Sequence, residues 1–231
     1  MRVIDSLPAT RVAVSGDEAQ RLRRYVQQTE EILGWIPDVR VARLSDTPAL
    51  TRLFADHDVG PWIYTMPQPI TEETVRAFIL RHLHEREEGA GVLFIAFDGE
   101  GEAAAYFDVE LWAEWGTCKF GGAVKPQRQG KGYGGATTLA AVDWCFSRLG
   151  VERICETTGL DNTRSIRLLS RIGFQEVGRT ISRRPDGTAR PSIVWELERR
   201  VWTTPRLRTR ASAATSPDRS LSAVAEGRPG P

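Results

Sequence analysis

The sequence predicts an α+β fold, and three observations carry that prediction. The first part of the chain spaces its apolar residues at helical intervals, the stretch from Gly91 switches to short strand-like runs, and the last part combines a strand, a short helix and a hairpin signal. Helices therefore come first, followed by an antiparallel meander, a β–α–β crossover and a closing hairpin, so the sheet should be mixed and mostly antiparallel. The chain has 231 residues, 41% of them hydrophobic and 26% charged, which is ordinary for a globular protein with a sizeable core.

Ser15 to Glu18 has the S-x-x-E form of a capping box, and Ala19, Leu22, Val26 and Leu33 follow on one face. This predicts an amphipathic helix ending near Gly34. Pro37 separates it from a strand over 39–44, and Asp46 with Pro48 opens a second helix reaching about Asp56. Gly60, Pro61, Pro67 and Pro69 make 57–70 a loop. A third helix begins at Thr71, with Val75, Phe78, Ile79 and Leu83 on one face; His82 and His84, beside Glu85 and Glu87, read as a solvated polar face. Val92 to Phe97 is a strand, Asp98-Gly99 a turn, and 102–112 and 115–125 an antiparallel pair. A helix over 132–149, a strand over 151–156, a short helix opened by Asp161-Asn162, and two strands joined at Pro185-Asp-Gly-Thr complete the body. Residues 203–231 are rich in Ser, Thr, Ala, Pro, Gly and Arg, cannot bury enough apolar surface to become ordered, and are expected to be a disordered tail.

Thirty-one basic residues against 30 acidic leave a net charge of +1, so bulk charge argues for neither a nucleic-acid partner nor a membrane partner. No run approaches the ~18 apolar residues of a membrane helix, and the first residues lack the apolar core of a secretory signal. A soluble cytoplasmic protein is expected. Cys118, Cys145 and Cys155 are odd in number and lack metal-type spacing, which predicts buried free thiols and no metal.

The most informative segment is Gln129-Gly130-Lys131-Gly132-Tyr133-Gly134, after a strand and opening a helix. Its glycines let the backbone approach a ligand, and a helix start presents N–H groups to an anion, so the loop suits a phosphate or pyrophosphate. Gly132 follows Lys131 where a P-loop needs Ser or Thr. A dinucleotide fingerprint is present at Gly130, Gly132 and Gly135, with Glu156 where a ribose-binding acid would stand. However, Pro126 to Gln129 interrupts the tight strand–glycine junction that motif needs, and too few β–α units follow.

The segment Val124 to Gly134 resembles the acyl-CoA pyrophosphate loop Q/R-x-x-G-x-G/A of the GNAT-superfamily acetyltransferases. Asn162-Thr-Arg-Ser165-Ile-Arg-Leu168, followed by Gly173-Phe174, is similar to that family's second motif. The resemblance covers about residues 39–200, and its details look most like the ribosomal-protein alanine acetyltransferases. It implies a GNAT domain over 39–202, with 1–38 as an N-terminal extension, and a central parallel strand pair splayed around the cofactor. It implies acetyl-CoA as co-substrate and no metal. The loop residues Gln129, Gly130, Lys131, Gly132, Tyr133 and Gly134 would hold the pyrophosphate. The backbone of Ala123, Val124 and Lys125 would meet pantetheine and the thioester carbonyl, and Asn162 and Ser165 would contact the cofactor.

Gly121-Gly122 inside the corresponding strand mark either a bulge with close ligand approach or a tight bend. Asn162 is equally suited to cap a helix. Ser165 can protonate the leaving thiolate in the related branch. Many family members place a tyrosine acid directly after the motif's leucine, but here the residue is Leu169, leaving Ser165, Ser170 or water. Glu114, with Glu110, lies near the strand junction where family bases often occur, the alternative being solvent-facing carboxylates. Trp112 and Trp115 suit either an acceptor wall or the core, and the loop Gly60 to Pro69 corresponds to the family's variable acceptor region.

The expected activity is transfer of an acetyl group to a primary amine by direct attack on the thioester. The amine could belong to a protein N-terminus, an amino sugar or antibiotic, or a small amine. No acidic run marks a site for polyamines or aminoglycosides. A homodimer is compatible with the sequence. The competing readings are a non-catalytic acyl-CoA-binding module, an NAD(P)-binding oxidoreductase, and nucleic-acid binding through the Arg-bearing tail.

Overall fold

The structure is a computed structural model, and it describes residues 2–30, 39–128 and 133–202. Five helices and seven strands follow one another. They are α1 (Gly16–Gln28), β1 (Val39–Val41), α2 (Thr47–Phe54), α3 (Glu72–Glu88), β2 (Gly91–Phe97), β3 (Ala103–Trp112), β4 (Thr117–Val124), α4 (Tyr133–Trp144), β5 (Arg153–Gly159), α5 (Thr163–Ile172), β6 (Gln175–Arg183) and β7 (Ala189–Glu198). The strands form one sheet in the order β1-β2-β3-β4-β5-β7-β6. Every neighbouring pair is antiparallel except β4–β5. The expected mixed, mostly antiparallel sheet is present. A doubly wound dinucleotide fold is excluded, because that fold needs a largely parallel sheet.

Both faces of the sheet are covered. On one face Leu22, Phe94, Phe107, Trp144, Phe146, Leu149 and Leu169 form the principal core under α1, α4 and α5. On the other, Leu50, Phe54, Met66, Phe78, Ile79, Ile95 and Tyr106 pack beneath α2 and α3. Strand β2 serves both: Val92, Phe94 and Ala96 face the first core and Leu93 and Ile95 the second. This explains why Val92–Phe97 is apolar throughout rather than alternating.

Helix α1 begins at Ser15, whose Oγ accepts the Glu18 N–H at 3.2 Å. The second half of the expected capping box is replaced, because the Glu18 carboxylate pairs with Arg21 instead, at 2.7 Å. Ala19, Leu22 and Val26 lie in the principal core, and Arg21 donates to the carbonyl of Leu149 at 3.1 Å. Thr10 donates its N–H and its hydroxyl to the two carboxylate oxygens of Glu196 on β7, at 2.8 and 2.7 Å. The described part of 1–38 is therefore built into the fold that begins at residue 39 rather than appended to it. The first helix ends at Gln28, short of the expected end near Gly34, because Thr29 turns extended; Leu33 and Gly34 lie outside the described residues. The 203–231 tail also lies outside them.

His82 corrects a second expectation. It is 4% exposed, with Nδ1 2.7 Å from Glu85 Oε2 and Nε2 3.9 Å from Asp108 Oδ2, and its ring meets Phe78 edge-on at 4.5 Å. It continues the buried stripe of α3 rather than a solvated face. His84 is exposed as expected. All three cysteines are buried free thiols. No helix among the described residues is long and apolar enough to cross a membrane.

Candidate active site

Strands β4 and β5 pair at only two positions, Thr117 with Arg153 and Cys118 with Ile154. Beyond them the strands part, and the Phe120 N–H, which a continuing partner strand would take, donates to Glu156 Oε1 at 2.8 Å. Peptide groups alternate sides along a strand. The Lys125 N–H points the other way, to Ala104 O on the β3 side at 2.8 Å, so Gly122 and Val124 turn their peptide edges into the gap, as Phe120 does. Ala123 and Lys125 turn theirs toward β3. This corrects the expected backbone set: Lys125 faces away from the gap, its Nζ lies 3.3 Å from Asp98, and it does not line the cleft.

A cleft of about 690 Å³ occupies the gap. Residues 120–124 of β4 and Glu156, Thr157 and Thr158 of β5 form its floor, and Gly134, Thr137, Asn162 and Ser165 stand on the α4–α5 side. Its opposite wall is the segment 58–65 between α2 and α3, including Trp62 and Tyr64. The cleft thus reaches both faces of the sheet. Segment 57–70 is fastened to the β6–β7 hairpin. The Gln68 N–H donates to Asp186 at 3.0 Å, Arg184 donates to the carbonyl of Pro61 at 2.7 Å, and Tyr64 donates to the carbonyl of Thr188 at 3.3 Å.

Glu156 is the carboxyl in this cleft whose acid–base behaviour departs most from ordinary. It is 6% exposed. Burial pushes its carboxyl up to about 8, against the opposing pull of the Phe120 N–H and Lys119 and with help from Asp108 and Glu110. A carboxyl near neutrality in a cleft is a candidate general base. From sequence, Glu156 stands only as the ribose-binding acid of the rejected dinucleotide fingerprint. Its signal was a carboxylate inside the buried strand Arg153-Ile-Cys-Glu-Thr-Thr.

Glu114 is elsewhere. It sits in the turn between β3 and β4, its side chain 56% exposed and ion-paired with Arg23 of α1, and it does not line the cleft. The turn lies at the paired end of β4, whereas the gap opens toward the other end. Glu110 is also exposed, 3.9 Å from Lys119. Trp112 packs against a small core of Ile4, Cys155 and Val194, and Trp115 lines a separate hollow beside Val12 and Arg200. Neither walls the cleft.

Asn162 and Ser165 are brought together at the start of α5, where Asn162 Oδ1 accepts the Ser165 N–H at 3.1 Å. The capping role of Asn162 is therefore realised, and both residues line the cleft. Leu169, at the family's tyrosine position, is buried against the same cleft, whereas Ser170 is exposed and outside it.

The strand glycines have an internal reason. A Cβ on Gly121 would lie 2.4 Å from Asp108 Oδ1, and one on Gly122 2.9 Å from the Tyr106 carbonyl oxygen. The β3–β4 register runs without a shift, so no bulge separates these two strands. By contrast, a Cβ on Gly134 would come no closer than 3.5 Å, to Arg164, and one on Gly135 no closer than 3.9 Å, to Leu168. Internal packing does not demand glycine at the start of α4, which fits a helix terminus kept bare for an anionic ligand. Gln129, Gly130, Lys131 and Gly132, and the side chain of Tyr133, lie outside the described residues.

Three solved structures share the fold. The ribosomal-protein-S5-alanine acetyltransferase of Vibrio fischeri is 19% identical over 71% of this chain and 94% of its own, with a TM-score of 0.59. Mycobacterium smegmatis RimJ, solved in complex with CoA-disulfide, is 20% identical over 76% and 88%, with a TM-score of 0.62. A variant of the spermidine N-acetyltransferase SpeG of Vibrio cholerae is 18% identical over 70% and 94%, with a TM-score of 0.55. No curated protein sequence matches the chain. The acetyltransferase (GNAT) domain family matches residues 39–175, more than half of the chain. The chain accordingly belongs to the GNAT acetyltransferases and is an acyltransferase.

Proposed function

We propose that the protein moves an acetyl group from acetyl-CoA to a primary amine by direct attack, with both substrates in the cleft at once. The observation that carries this is the parting of β4 and β5 beyond Cys118, with the buried Glu156 at the head of a cleft reaching both faces. The start of α4 at Gly134, with the preceding loop residues 129–132, is the seat for the pyrophosphate, and the peptide edge of Gly122 is the hydrogen-bonding partner for the pantetheine arm. Asn162 and Ser165 flank that arm from α5. Bound acetyl-CoA supplies the electrophilic carbonyl carbon and the thiol leaving group.

The amine arrives protonated from the side of segment 58–65. Glu156 in its ionised form takes one proton from the ammonium, leaving the nitrogen lone pair to attack. A base near 8 suits this step, because it gains affinity for a proton without being fully protonated at working pH. The Ser165 hydroxyl, which lines the cleft, donates a proton to the departing sulfur in place of a phenol at position 169. Protein N-termini, amino sugars and small amines all fit as acceptors.

Thermal melting with acetyl-CoA, CoA and NADP in parallel tests the cofactor, followed by amine screening for thiol release. A rise of several degrees with acetyl-CoA, with or without CoA, supports the reading. A rise with NADP alone refutes it.

A further inference from the structure

Two arginines at the acceptor wall lack a counter-charge. The guanidinium carbons of Arg190 and Arg184 lie 3.9 and 4.5 Å from the centroid of one ring, that of Tyr64. Both Nε atoms are buried without a hydrogen-bond partner, and neither guanidinium forms an ion pair among the described residues. The nearby carboxylates form no ion pair with them and act only from a distance, Asp161 opposing the lowering of Arg190 and Asp186 being held down by Arg184. Asp186 accepts the N–H groups of Gln68 and Thr188. Asp161, whose Oδ1 is 2.7 Å from where a Gly159 Cβ would stand, stays outside ion-pairing distance of Arg190 although the guanidinium is 3.1 Å from that same point. Two like charges gathered on one aromatic ring repel each other, and Arg190 is lowered by burial with Arg184 adding to the effect.

Arg190 lines the cleft, and its planar fork is suited to bidentate carboxylate or phosphate binding. It packs on Gly159, three residues along β5 from Glu156, roughly 10 Å along the strand and on the other face of the sheet. Both Glu156 and Arg190 line the one cleft, which reaches both faces, so an acceptor carrying an amine at one end and an anion at the other can meet both.

We infer that the acceptor is an amine bearing a carboxylate or phosphate a few bonds from its nitrogen, held at its anionic end by Arg190 and Arg184. This rests on the transferase reading above and narrows its substrate class. It excludes polyamines, which would bring positive charge to a wall that already holds two unpaired cations.

The test measures kcat/KM by thiol release for three pairs differing in charge at one group. They are methionine against methioninamide, glucosamine 6-phosphate against glucosamine, and the peptide amide Ala-Asp against Ala-Asn, with spermidine as the cationic contrast. The pairs separate a free amino acid, a sugar phosphate and an acidic protein N-terminus as the source of the anion. The anionic member of at least one pair is expected to be preferred by about 10- to 100-fold, the range for a charge-assisted hydrogen bond. In Arg190→Gln that ratio falls to near one, Arg190→Lys restores part of it, and KM for acetyl-CoA does not follow. The ratio within one variant cancels any general loss of folded enzyme. Melting with CoA plus each acceptor repeats the comparison without chemistry. Preference for the neutral member in all three pairs, preference for spermidine, or an unchanged ratio in Arg190→Gln overturns the inference while leaving acetyl transfer standing. Acceptor-dependent melting without thiol release from any amine instead overturns the transferase reading.

Discussion

Replacing Glu156 by glutamine separates two consequences of burying a carboxyl where β4 and β5 part. The amide is nearly isosteric, and its oxygen can still accept the Phe120 N–H that Glu156 holds at 2.8 Å, so the local backbone loses no partner. Glu156 titrates near 8 against an ordinary 4.5, a difference worth about 5 kcal/mol at 1.36 kcal/mol per factor of ten. The folded protein holds this proton between 4.5 and 8 while the unfolded chain releases it. The contribution is full below 4.5 and is lost as pH rises through 8. Urea unfolding at pH 4.5, 7 and 8.5 should therefore find wild type and Glu156→Gln similar at the lowest pH. The variant should become the more stable by an amount growing toward about 5 kcal/mol at the highest. Turnover should move the other way, falling by about 10²- to 10⁴-fold as expected for loss of a general base, and the wild-type rise of kcat/KM toward pH 8 should disappear. A stability gap that does not change with pH, or a variant with undiminished turnover, would refute the assignment.

Further substitutions probe the frame around the cleft. Gly121→Ala places a Cβ 2.4 Å from Asp108 Oδ1 and should cost about 1–3 kcal/mol in urea unfolding, with part of the loss recovered in the double variant with Asp108→Ala. Asp46→Asn removes the bidentate partner of Arg40, held at 2.7 and 2.8 Å, and should cost about 1–3 kcal/mol near neutrality. Burial alone would raise the Asp46 pKa, but Arg40 and the Arg43 N–H hold it below the ordinary value, so that stability is present above pH 4 and the gap between variant and wild type should close as pH falls through the lowered pKa. Asn162→Ala should lose about 1 kcal/mol as a missing helix cap. Asn162→Ser should recover stability by capping again, yet keep a raised KM for acetyl-CoA if the amide also contacts the cofactor.

What was legible in the sequence was local. The change of period at Gly91, the apolar run Val92–Phe97, the Pro185-Asp-Gly turn and the cap at Asn162 are each written within a few residues, and each stands where expected. His82 was legible but misread: it stands four residues after Phe78 and three after Ile79, on the buried stripe itself, and only its polarity argued for solvent. The proposed base was not legible. Glu114 and Glu156 differ through which strands stay paired around them, and that depends on β4 separating from β5 after two positions and β5 pairing fully with β7. No local pattern encodes a divergence between strands 36 residues apart, the separation of Phe120 from Glu156. For the same reason helix α1 read as an appendage, since its partners Trp144 and Leu149 lie more than a hundred residues further along.

The strap formed by the first residues bears on how the chain comes to fold during synthesis. Thr10 closes on Glu196 across 186 residues, and at ribosomal rates of about 5–20 residues per second its partner emerges roughly 10–40 s later. Helix α1 waits a shorter time, because Trp144 and Leu149, which it packs against, are made about 120 residues after it. Its length, 13 residues, is marginal for a helix standing alone. The order of maturation is thus the reverse of the order of synthesis at this end. The strap at Thr10 is made first and closes last, once β7 has filled its place between β5 and β6, so a nascent chain stalled before residue 189 would leave Thr10 without its carboxylate.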